Sequence, residues 1–390
     1  LNFKNIKFKT EGETKYNHRH RELFFKKIDL KTNGLKRFME KKYFTDNDID
    51  LVTANLTYFI QKIFPIDLFE EIEKNYEKAK SILKPYKSKH IIFGGSPTSS
   101  SSFIMAVSKE KKMSVITLQH GGYYGYIKDI PRVYELEYSF SDIFLTWGWT
   151  ENKQFPTCKF FPLPSPWLSE RTIYWKKLKI QEDKRFDFLF LPQRLEEYTM
   201  PLTGAGNTRP DIIPSYLNEI IKLINFAKFN KASIFYKPYN QKTVLLGKET
   251  YKKIKKILGT SLTISKNLNK GLNFRIVKNC HIVLWDQPGT GFLECITSNI
   301  PTMVIWTKLF NEEEKSAQKY FKKLENVGLI HVTHKSLFKE LAIYKKDPIS
   351  WMSNSERKKA INLFSQRYAF TCPEWTDSWN HFLKKIKSYA

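Results

Sequence analysis

Residues 281–306 have the sequence HIVLWDQPGTGFLECITSNIPTMVIW, and this stretch decides the fold class. An apolar run typical of a buried strand ends at Asp286, and Pro-Gly-Thr-Gly then predicts a turn. An apolar helix follows, and a second apolar strand begins after Pro301. This order of strand, turn, helix and strand is the repeating unit of a parallel sheet. Strands that are apolar throughout indicate a sheet covered on both faces, so we predict the α/β class.

The same pattern recurs in both halves of the chain. In the first half, HIIFGGSPTSSSSFIMAVSKEKK predicts a strand, a Gly/Ser/Pro turn and a helix, and SVITLQHGG and SDIFLTWGW predict two further strands. In the second half, RFDFLFLPQ and ASIFYKPYN predict strands, and DIIPSYLNEIIKLINFAKF predicts a helix. We therefore expect two open α/β sheets that face each other across a cleft. Ligands bind in such folds at the carboxyl ends of the strands.

A proline-rich stretch, FFPLPSPW, separates the two sets of strands at Phe160–Trp167. Three prolines in five residues predict neither a helix nor a central strand, so we expect the inter-domain connection here. The predicted domains are residues 1–166, helical over 1–85, residues 167–350, and a helical tail over 351–390. A length of 390 residues agrees with two domains at roughly 100–200 residues each.

The composition narrows the function classes. A hydrophobic content of 41% excludes a disordered chain, and no apolar run approaches the roughly 18 residues that predict a membrane span. We expect no signal peptide, and the chain begins with Leu1 instead of Met, as a fragment of a longer protein would. Cys280 and Cys295 lie in apolar segments and no CxxC pair occurs, which favours free thiols in a reducing cytoplasm.

The charge is strongly unbalanced. The chain carries 65 basic and 39 acidic residues, a net charge of +26. Such an excess favours an anionic partner: nucleic acid, anionic lipid or a phosphorylated small molecule. A compositional bias towards Lys and Asn is the alternative explanation.

Two candidate sites follow strands of the first half. The turn GGSPTSSSSF feeds a helix at Ser99 and Ser100, where backbone amides could bind an anion; a plain capping turn is the alternative. It lacks the P-loop pattern. In QHGGYYG, His120 could act as a general base or hold a phosphate, or be a structural histidine in a tight turn. The predicted acceptor-side residues around it are Gln119, Gly121, Gly122, Tyr123 and Tyr124.

Two more candidates follow strands of the second half. Lys237 in YKPYN could neutralise a phosphate, with a solvated surface lysine as the alternative. Gly289, Thr290 and Gly291 open a helix whose N-terminus favours phosphate, and Thr290 is expected to cap it. Glu294 lies one turn further and could reach a ribose hydroxyl, or be an ordinary acid of the first helical turn.

Metal-binding patterns are weak. His331 and His334 are spaced i, i+3 but have no third ligand in view, so we expect them at the surface. The chain has no HExxH, GxSxG or paired CxxC motif.

Taken in order, the Ser-rich turn, QHG, SDIFLTWG, KP and the Gly turn with Glu294 resemble bacterial surface-polysaccharide (O-antigen and capsule) transferases of the GT-B fold. The resemblance covers about residues 90–306. It is strongest to the LIC-type transferase family and more distant to CDP-glycerol glycerophosphotransferases and Kdo transferases. In the glycerophosphotransferases a WHG histidine lies at the reaction centre. The resemblance matches His120 of QHG to that histidine. Lys237 replaces their phosphate-binding HP histidine, which leaves the donor type open, and Glu294 matches the ribose-binding acid of GT-B transferases.

This resemblance implies a GT-B-like enzyme with two Rossmann-like domains, the N-terminal one binding the acceptor and the C-terminal one binding a nucleotide-activated donor. The implied activity is metal-independent glycosyl transfer, without a cofactor, from a nucleotide sugar to a surface-polysaccharide or lipid-linked glycan. We favour a CMP-linked acidic sugar as donor, and a cytoplasmic protein peripheral on the anionic inner membrane.

Three alternatives remain: a CDP-polyol phosphotransferase, a nucleotide-sugar epimerase of the same fold, and a basic nucleic-acid-binding protein. The last is least favoured because the lysines are spread through the whole chain instead of forming one basic face. The sequence does not choose between inversion and retention, nor does it give the oligomeric state.

Overall fold

The computed structural model describes residues 19, 21–22, 55, 64–95, 98–128, 137–176, 185–195, 212–266 and 271–389. The chain forms two compact units, the first from residues 1–91 and 97–113, the second from residues 92–96 and 114–390. Most of the predicted helical segment 1–85 lies outside the described residues.

Two α-helices of the first unit, Ile72–Leu83 and Ser99–Glu110, pack against each other. Their shared core includes Leu83 and Phe103. A capping box begins the second helix: the side chain of Thr98 accepts a hydrogen bond from the backbone of Ser101, and the Ser101 side chain bonds back.

The first of two parallel sheets has the strand order β1-β2-β3-β4. The pairs β2–β3 and β3–β4 are parallel. Only the last two residues of β1 belong to the second unit. The strands are β1 His90–Phe93, β2 Ser114–Leu118, β3 Ile143–Thr146 and β4 Lys159–Pro162.

The second sheet lies within the second unit and has the order β10-β9-β8-β5-β6-β7, with every pair parallel. Counted from β5, this is the 3-2-1-4-5-6 order of a dinucleotide-binding fold, and its direction reverses between β5 and β8. The prediction of two parallel α/β sheets is therefore confirmed. The strands are β5 Phe186–Leu191, β6 Ile234–Tyr236, β7 Leu262–Ile264, β8 Cys280–Trp285, β9 Thr302–Ile305 and β10 Ile330–His331.

The α-helices of the second unit cover this sheet and form the tail. The predicted strand–turn–helix–strand unit over 281–306 and the helical tail are both confirmed. None of the helices in the described ranges is long and apolar enough to cross a membrane. The α-helices in the described residues of this unit are Pro166–Trp175, Ile213–Phe229, Gln241–Leu246, Lys248–Leu258, Phe274–Val277, Thr290–Thr297, Gln318–Asn326, His334–Lys346, Pro348–Ser353, Ser355–Tyr368 and Trp375–Tyr389, and Gly259–Ser261 form a short 3-10 helix.

The proline-rich stretch differs from the prediction. It lies between the two sheets in sequence, but only residues 163–165 are irregular: β4 ends at Pro162 and a helix begins at Pro166. Proline is tolerated here because β4 is an edge strand and because the first helical position needs no backbone N–H donor. The domain division near residue 166 stays a prediction.

Candidate functional site

A cavity of about 620 Å³ lies in the second unit beside the carboxyl ends of β5 and β8. This is the point where the strand order reverses, and ligands of open α/β sheets bind there. The volume falls in the range of small-molecule sites, about 300–1,000 Å³. Residues that follow strands of both sheets line it, including His120 after β2, Pro192 after β5, Lys237 after β6, and Thr290, Gly291 and Glu294 after β8.

The loops that follow β2 and β8 are in direct contact. The backbone N–H of Gly122 donates a hydrogen bond of 2.8 Å to Thr290 Oγ1, and the Tyr126 hydroxyl donates one of 2.7 Å to the Pro288 carbonyl. A Cβ on Gly122 would lie only 2.7 Å from Thr290 N and 2.9 Å from the Gly289 carbonyl carbon. Only glycine fits at this position, and the contact places His120 beside the turn that follows β8.

The helix Thr290–Thr297 presents its N-terminus to the cavity. Its first internal backbone bond runs from Leu293 N to Gly289 O, so the preceding N–H groups have no partner within the helix. The predicted capping role of Thr290 is wrong: Gly289 occupies the cap position without a side-chain bond, and Thr290 Oγ1 accepts from Gly122 instead. An uncapped N-terminus at a cavity is suited to an anion.

Only one of the two carboxylate oxygens of Glu294 accepts hydrogen bonds from the described residues. Arg171 Nε and Trp175 Nε1 each donate to its Oε1 at 2.6 Å, and the residue is 5% exposed. Its Oε2 accepts no hydrogen bond from any residue in the described ranges. Both contacts come from the helix Pro166–Trp175, more than a hundred residues away in sequence. Sequence reasoning missed Arg171 and Trp175 for that reason.

Lys237 is buried at the cavity wall. It is 5% exposed, and no carboxylate among the described residues pairs with it. Burial lowers the pKa of its ammonium group, because the charged form is poorly solvated. The alternative of a solvated surface lysine is therefore wrong. Arg194, which the sequence did not single out, adds a second cation to the lining, beside the ring of Tyr239.

His120 is exposed at the cavity and contacts the ring of Tyr124 edge-on at 5.3 Å. The Tyr124 hydroxyl oxygen lies 2.9 Å from His120 Nδ1 and 3.2 Å from Nε2. The same hydroxyl donates to the carboxylate of Glu137, at 3.1 Å to Oε1 and 3.0 Å to Oε2. Glu137 is fully buried. No sequence pattern marks Glu137, because it belongs to neither a strand end nor a glycine turn.

The predicted acceptor-side residues are mostly internal. Gln119 is buried; its Oε1 accepts from Trp147 N at 2.9 Å and Trp149 Nε1 at 3.0 Å, and its Nε2 donates to the Gly121 carbonyl. These bonds fix the loop that carries His120. The rings of Tyr123 and Tyr124 are both 5% exposed, so they offer no open stacking surface. Their acceptor roles stay predictions.

The remaining candidates fall elsewhere. Ser99 and Ser100 open a helix of the first unit behind the Thr98 cap, and their donor-binding role stays a prediction. The surface prediction for His331 and His334 is wrong, since both are buried; His331 bonds Ser336 and the Gly328 carbonyl through its two ring nitrogens.

Asp286, at the end of β8, is an ionisable group that the sequence did not assign. Its Oδ2 accepts hydrogen bonds from Tyr216 and, at 2.7 Å, from Gln193 N. Its Oδ1 is shielded from solvent and has no partner within the described part of the chain. Burial raises the pKa of this carboxyl to about 6, and the two hydrogen bonds only partly oppose that rise.

No protein with a curated description matches the chain. Solved structures that resemble it include three with a TM-score below 0.5 each. They are a glycosyltransferase from Rickettsia africae (10% identity, 80% of each chain, TM-score 0.45), UDP-GlcNAc 2-epimerase from Methanocaldococcus jannaschii with UDP-GlcNAc and UDP (12%, 75% of this chain and 79% of the other, 0.41), and MurG from Acinetobacter baumannii (11%, 80% and 77%, 0.39).

The family comparison covers nearly the whole chain and does not depend on those structures. The model described as LIC12162 family transferase matches residues 1–383. The chain therefore belongs to this family of transferases.

Proposed function

We propose that this transferase is a GT-B-like glycosyltransferase that binds a nucleotide-activated sugar in the 620 Å³ cavity. One observation carries the proposal. The same cavity is lined by a buried lysine that pairs with no carboxylate in the described part of the chain, by a helix N-terminus without a side-chain cap, and by a carboxylate held through one oxygen, and the loop of the other sheet brings an imidazole to it.

Lys237 and the helix N-terminus at Thr290 suit the donor's phosphates. An ammonium group without a carboxylate partner and free backbone N–H groups both stabilise negative charge, and they do so more strongly in a shielded site. During transfer the bond from the sugar carbon to the phosphate oxygen breaks, and charge grows on that oxygen. Groups already in place then stabilise the leaving nucleotide without reorganisation.

Glu294 suits the ribose. Arg171 and Trp175 hold its Oε1, so the carboxylate has a fixed orientation and Oε2 can accept from a hydroxyl. His120 lies on the other loop, where it could take the proton of the acceptor hydroxyl if the reaction inverts. If the reaction retains configuration, the same histidine binds donor or acceptor instead.

We also propose a class of donor, a class of acceptor and a membrane contact. The donor is a nucleotide sugar, with a CMP-linked acidic sugar favoured, and the acceptor is a surface-polysaccharide or lipid-linked glycan. The net charge of +26 supports contact with an anionic membrane surface, an attraction that salt would screen over about 8 Å at physiological ionic strength. Sedimentation with anionic vesicles tests this, and a protein that stays in the supernatant even at low salt contradicts it.

Two other functions use the same site. A CDP-polyol phosphotransferase would respond to CDP and transfer a phosphorylated polyol. A nucleotide-sugar epimerase would convert its substrate with no acceptor present. Product analysis with and without an acceptor glycan separates both from glycosyl transfer.

The first experiment is a thermal-shift panel with CMP, CDP, UDP, GDP and a DNA oligonucleotide. We expect one nucleotide to raise the melting temperature and DNA to have no specific effect. Calorimetry with that nucleotide should show Glu294→Ala losing about 1–3 kcal/mol of affinity through an unpaired hydroxyl. Glu294→Gln is the matched control, since its carbonyl oxygen can still accept from Arg171 and Trp175. Unchanged affinity in folded Glu294→Ala contradicts the assignment.

A further inference from the structure

We propose that a second, smaller cavity of the second unit binds a monovalent cation of the size of Na⁺ or K⁺ through oxygens of Asp286, Gln193 and Gln287. This cavity has a volume of about 30 Å³ and lies beside the carboxyl ends of β5 and β8, against the helix Ile213–Phe229. It shares no described lining residue with the larger cavity. The inference therefore does not depend on the proposed function.

Three side-chain oxygens on the wall of the small cavity are shielded from solvent and have no hydrogen-bond partner in the described part of the chain. They are Asp286 Oδ1, Gln193 Oε1 and Gln287 Oε1. Gln193 is only 3% exposed. Buried acceptors without a partner are rare in native proteins, and an ion is one of the groups that satisfy them. All three are acceptors, so together they indicate a positively charged ligand.

Asp286 has no counter-charge among the described residues. Its Oδ2 accepts from the Tyr216 hydroxyl and from Gln193 N, which are both neutral donors. The other residues on this wall that can carry a charge are Glu219, Lys308 and His334. Lys308 Nζ pairs with Glu313 Oε1 at 2.8 Å, and Glu219 has Lys222 Nζ at 2.6 Å and His334 Nδ1 at 3.8 Å. Buried charges are paired or bind a metal ion, so the Asp286 carboxylate has the surroundings of a cation ligand.

The charge and size of the site select a monovalent ion. One carboxylate and two neutral amide oxygens carry a single negative charge, which a divalent ion would exceed. Carboxylate and amide oxygens are hard ligands, and the described part of the chain has no cluster of three or more His, Cys, Asp or Glu residues that fits a metal ion. One water needs roughly 10–15 Å³, so about 30 Å³ holds a Na⁺ or K⁺ ion together with one water.

The cation joins the ends of the two central strands of the second sheet. Gln193 follows β5, whereas Asp286 and Gln287 follow β8. Their sequence neighbours Pro192 and Trp285 line the larger cavity. A cation held between the two strand ends therefore stabilises the wall of the larger cavity without touching the ligand in it.

A thermal-shift titration of the whole chain tests the proposal, with NaCl or KCl replaced stepwise by choline chloride. Chloride and ionic strength stay constant, so screening of the net charge of +26 is the same in every sample. Choline is too large for the cavity. We expect about 100 mM Na⁺ or K⁺ to raise the melting temperature by about 2 °C relative to choline at neutral pH, because the ion binds the folded state alone.

Sodium-23 nuclear magnetic resonance measures the binding directly and does not depend on stability. Na⁺ held in a protein site relaxes faster than Na⁺ in solution, so the protein should broaden the sodium signal. Sodium that only surrounds the surface would broaden the signal equally in the wild type and in a variant without the Asp286 charge.

Three variants separate the cation site from general effects on stability. Asp286→Asn keeps the side-chain size and an oxygen that accepts from Tyr216, but it removes the charge, so the temperature shift and the sodium broadening should both disappear. Gln193→Met removes one oxygen and keeps the backbone N–H, and sodium affinity should fall about tenfold. Asp187→Asn is the matched control on β5, because the carboxylate of Asp187 already has a cation, Lys345 Nζ at 2.5 Å.

Each outcome decides for or against the cation. A shift in the wild type and in Asp187→Asn that is lost in Asp286→Asn supports the proposal. Equal melting temperatures in Na⁺, K⁺ and choline overturn it, as does a shift that persists in folded Asp286→Asn or a response to Mg²⁺ or Ca²⁺ alone. If Asp286→Asn does not fold, unchanged sodium broadening in Gln193→Met overturns it. Failure of every nucleotide to bind would overturn the proposed function and leave the sodium result standing.

Discussion

Gly122→Ala should separate the two loops that form the candidate site. The added Cβ would lie 2.7 Å from Thr290 N, whereas ordinary contacts begin near 3.4 Å, so the loops must part by about 0.7 Å. Two of the three nearest atoms, Thr290 N and the Gly289 carbonyl carbon, are backbone and cannot rotate away, and the third is the hydroxyl oxygen of the buried Tyr126, at 2.7 Å. The hydrogen bond from Gly122 N, now 2.8 Å, would stretch to about 3.5 Å, beyond the usual range.

The cost of this substitution can be estimated from its two parts. Overpacking costs about 1–3 kcal/mol, and the lost hydrogen bond costs about 0.5–1.5 kcal/mol. We expect a loss of about 2–4 kcal/mol of unfolding free energy and a lower melting temperature. Turnover should fall by about tenfold or more, since sub-ångström misplacement of reacting groups is costly.

The assay is a urea titration together with a measurement of donor consumption per folded molecule. Two matched variants calibrate it. A Cβ on Gly94 would meet nothing within 4 Å, and one on Gly121 would meet only the Thr290 side-chain oxygen, at 3.2 Å. We expect little change in stability for Gly94→Ala and an intermediate effect for Gly121→Ala. Wild-type stability and turnover in Gly122→Ala would refute the close contact between the loops.

Two further predictions concern titrating groups. Because burial lowers the pKa of Lys237, a phosphate beside it should restore the proton, so nucleotide binding at alkaline pH should take up protons. Calorimetry in buffers of different ionisation enthalpy measures this, and Lys237→Arg should abolish the uptake because arginine stays charged. Burial raises the pKa of Asp286 to about 6, so the folded state binds this proton more tightly, and stability from this group falls as pH rises from about 4 to 6. Asp286→Asn should remove that fall, worth about 3 kcal/mol, in urea titrations from pH 4 to 7.5, and parallel curves would contradict it.

The sequence predicted the scaffold well because its signals are local. Apolar runs, glycine turns and helix starts identified the strand–turn–helix–strand unit over 281–306 and the second sheet. The residues after strands, His120, Lys237 and Glu294, were recognisable because parallel strands bring their carboxyl ends to one edge of a sheet.

The contacts that orient those residues could not be predicted in the same way. Arg171 and Glu294 are 123 residues apart in sequence, and Gly122 and Thr290 are 168 apart. Thr290 was expected to cap its own helix. Its hydroxyl oxygen instead accepts a hydrogen bond from Gly122, which follows a strand of the other sheet. Such pairs depend on how two sheets meet, and a single sequence carries no local signal for that.

The central claim is that donor binding and proton transfer belong to opposite sides of one cavity. The most direct measurement is made on His120→Asn, with the nucleotide and donor that the panel identifies: the nucleotide Kd by calorimetry and the rate of donor consumption in the same preparation. We expect the rate to fall at least about 100-fold, as loss of a general base implies, while the Kd stays within about twofold. A folded His120→Asn protein with near-normal turnover would contradict the account.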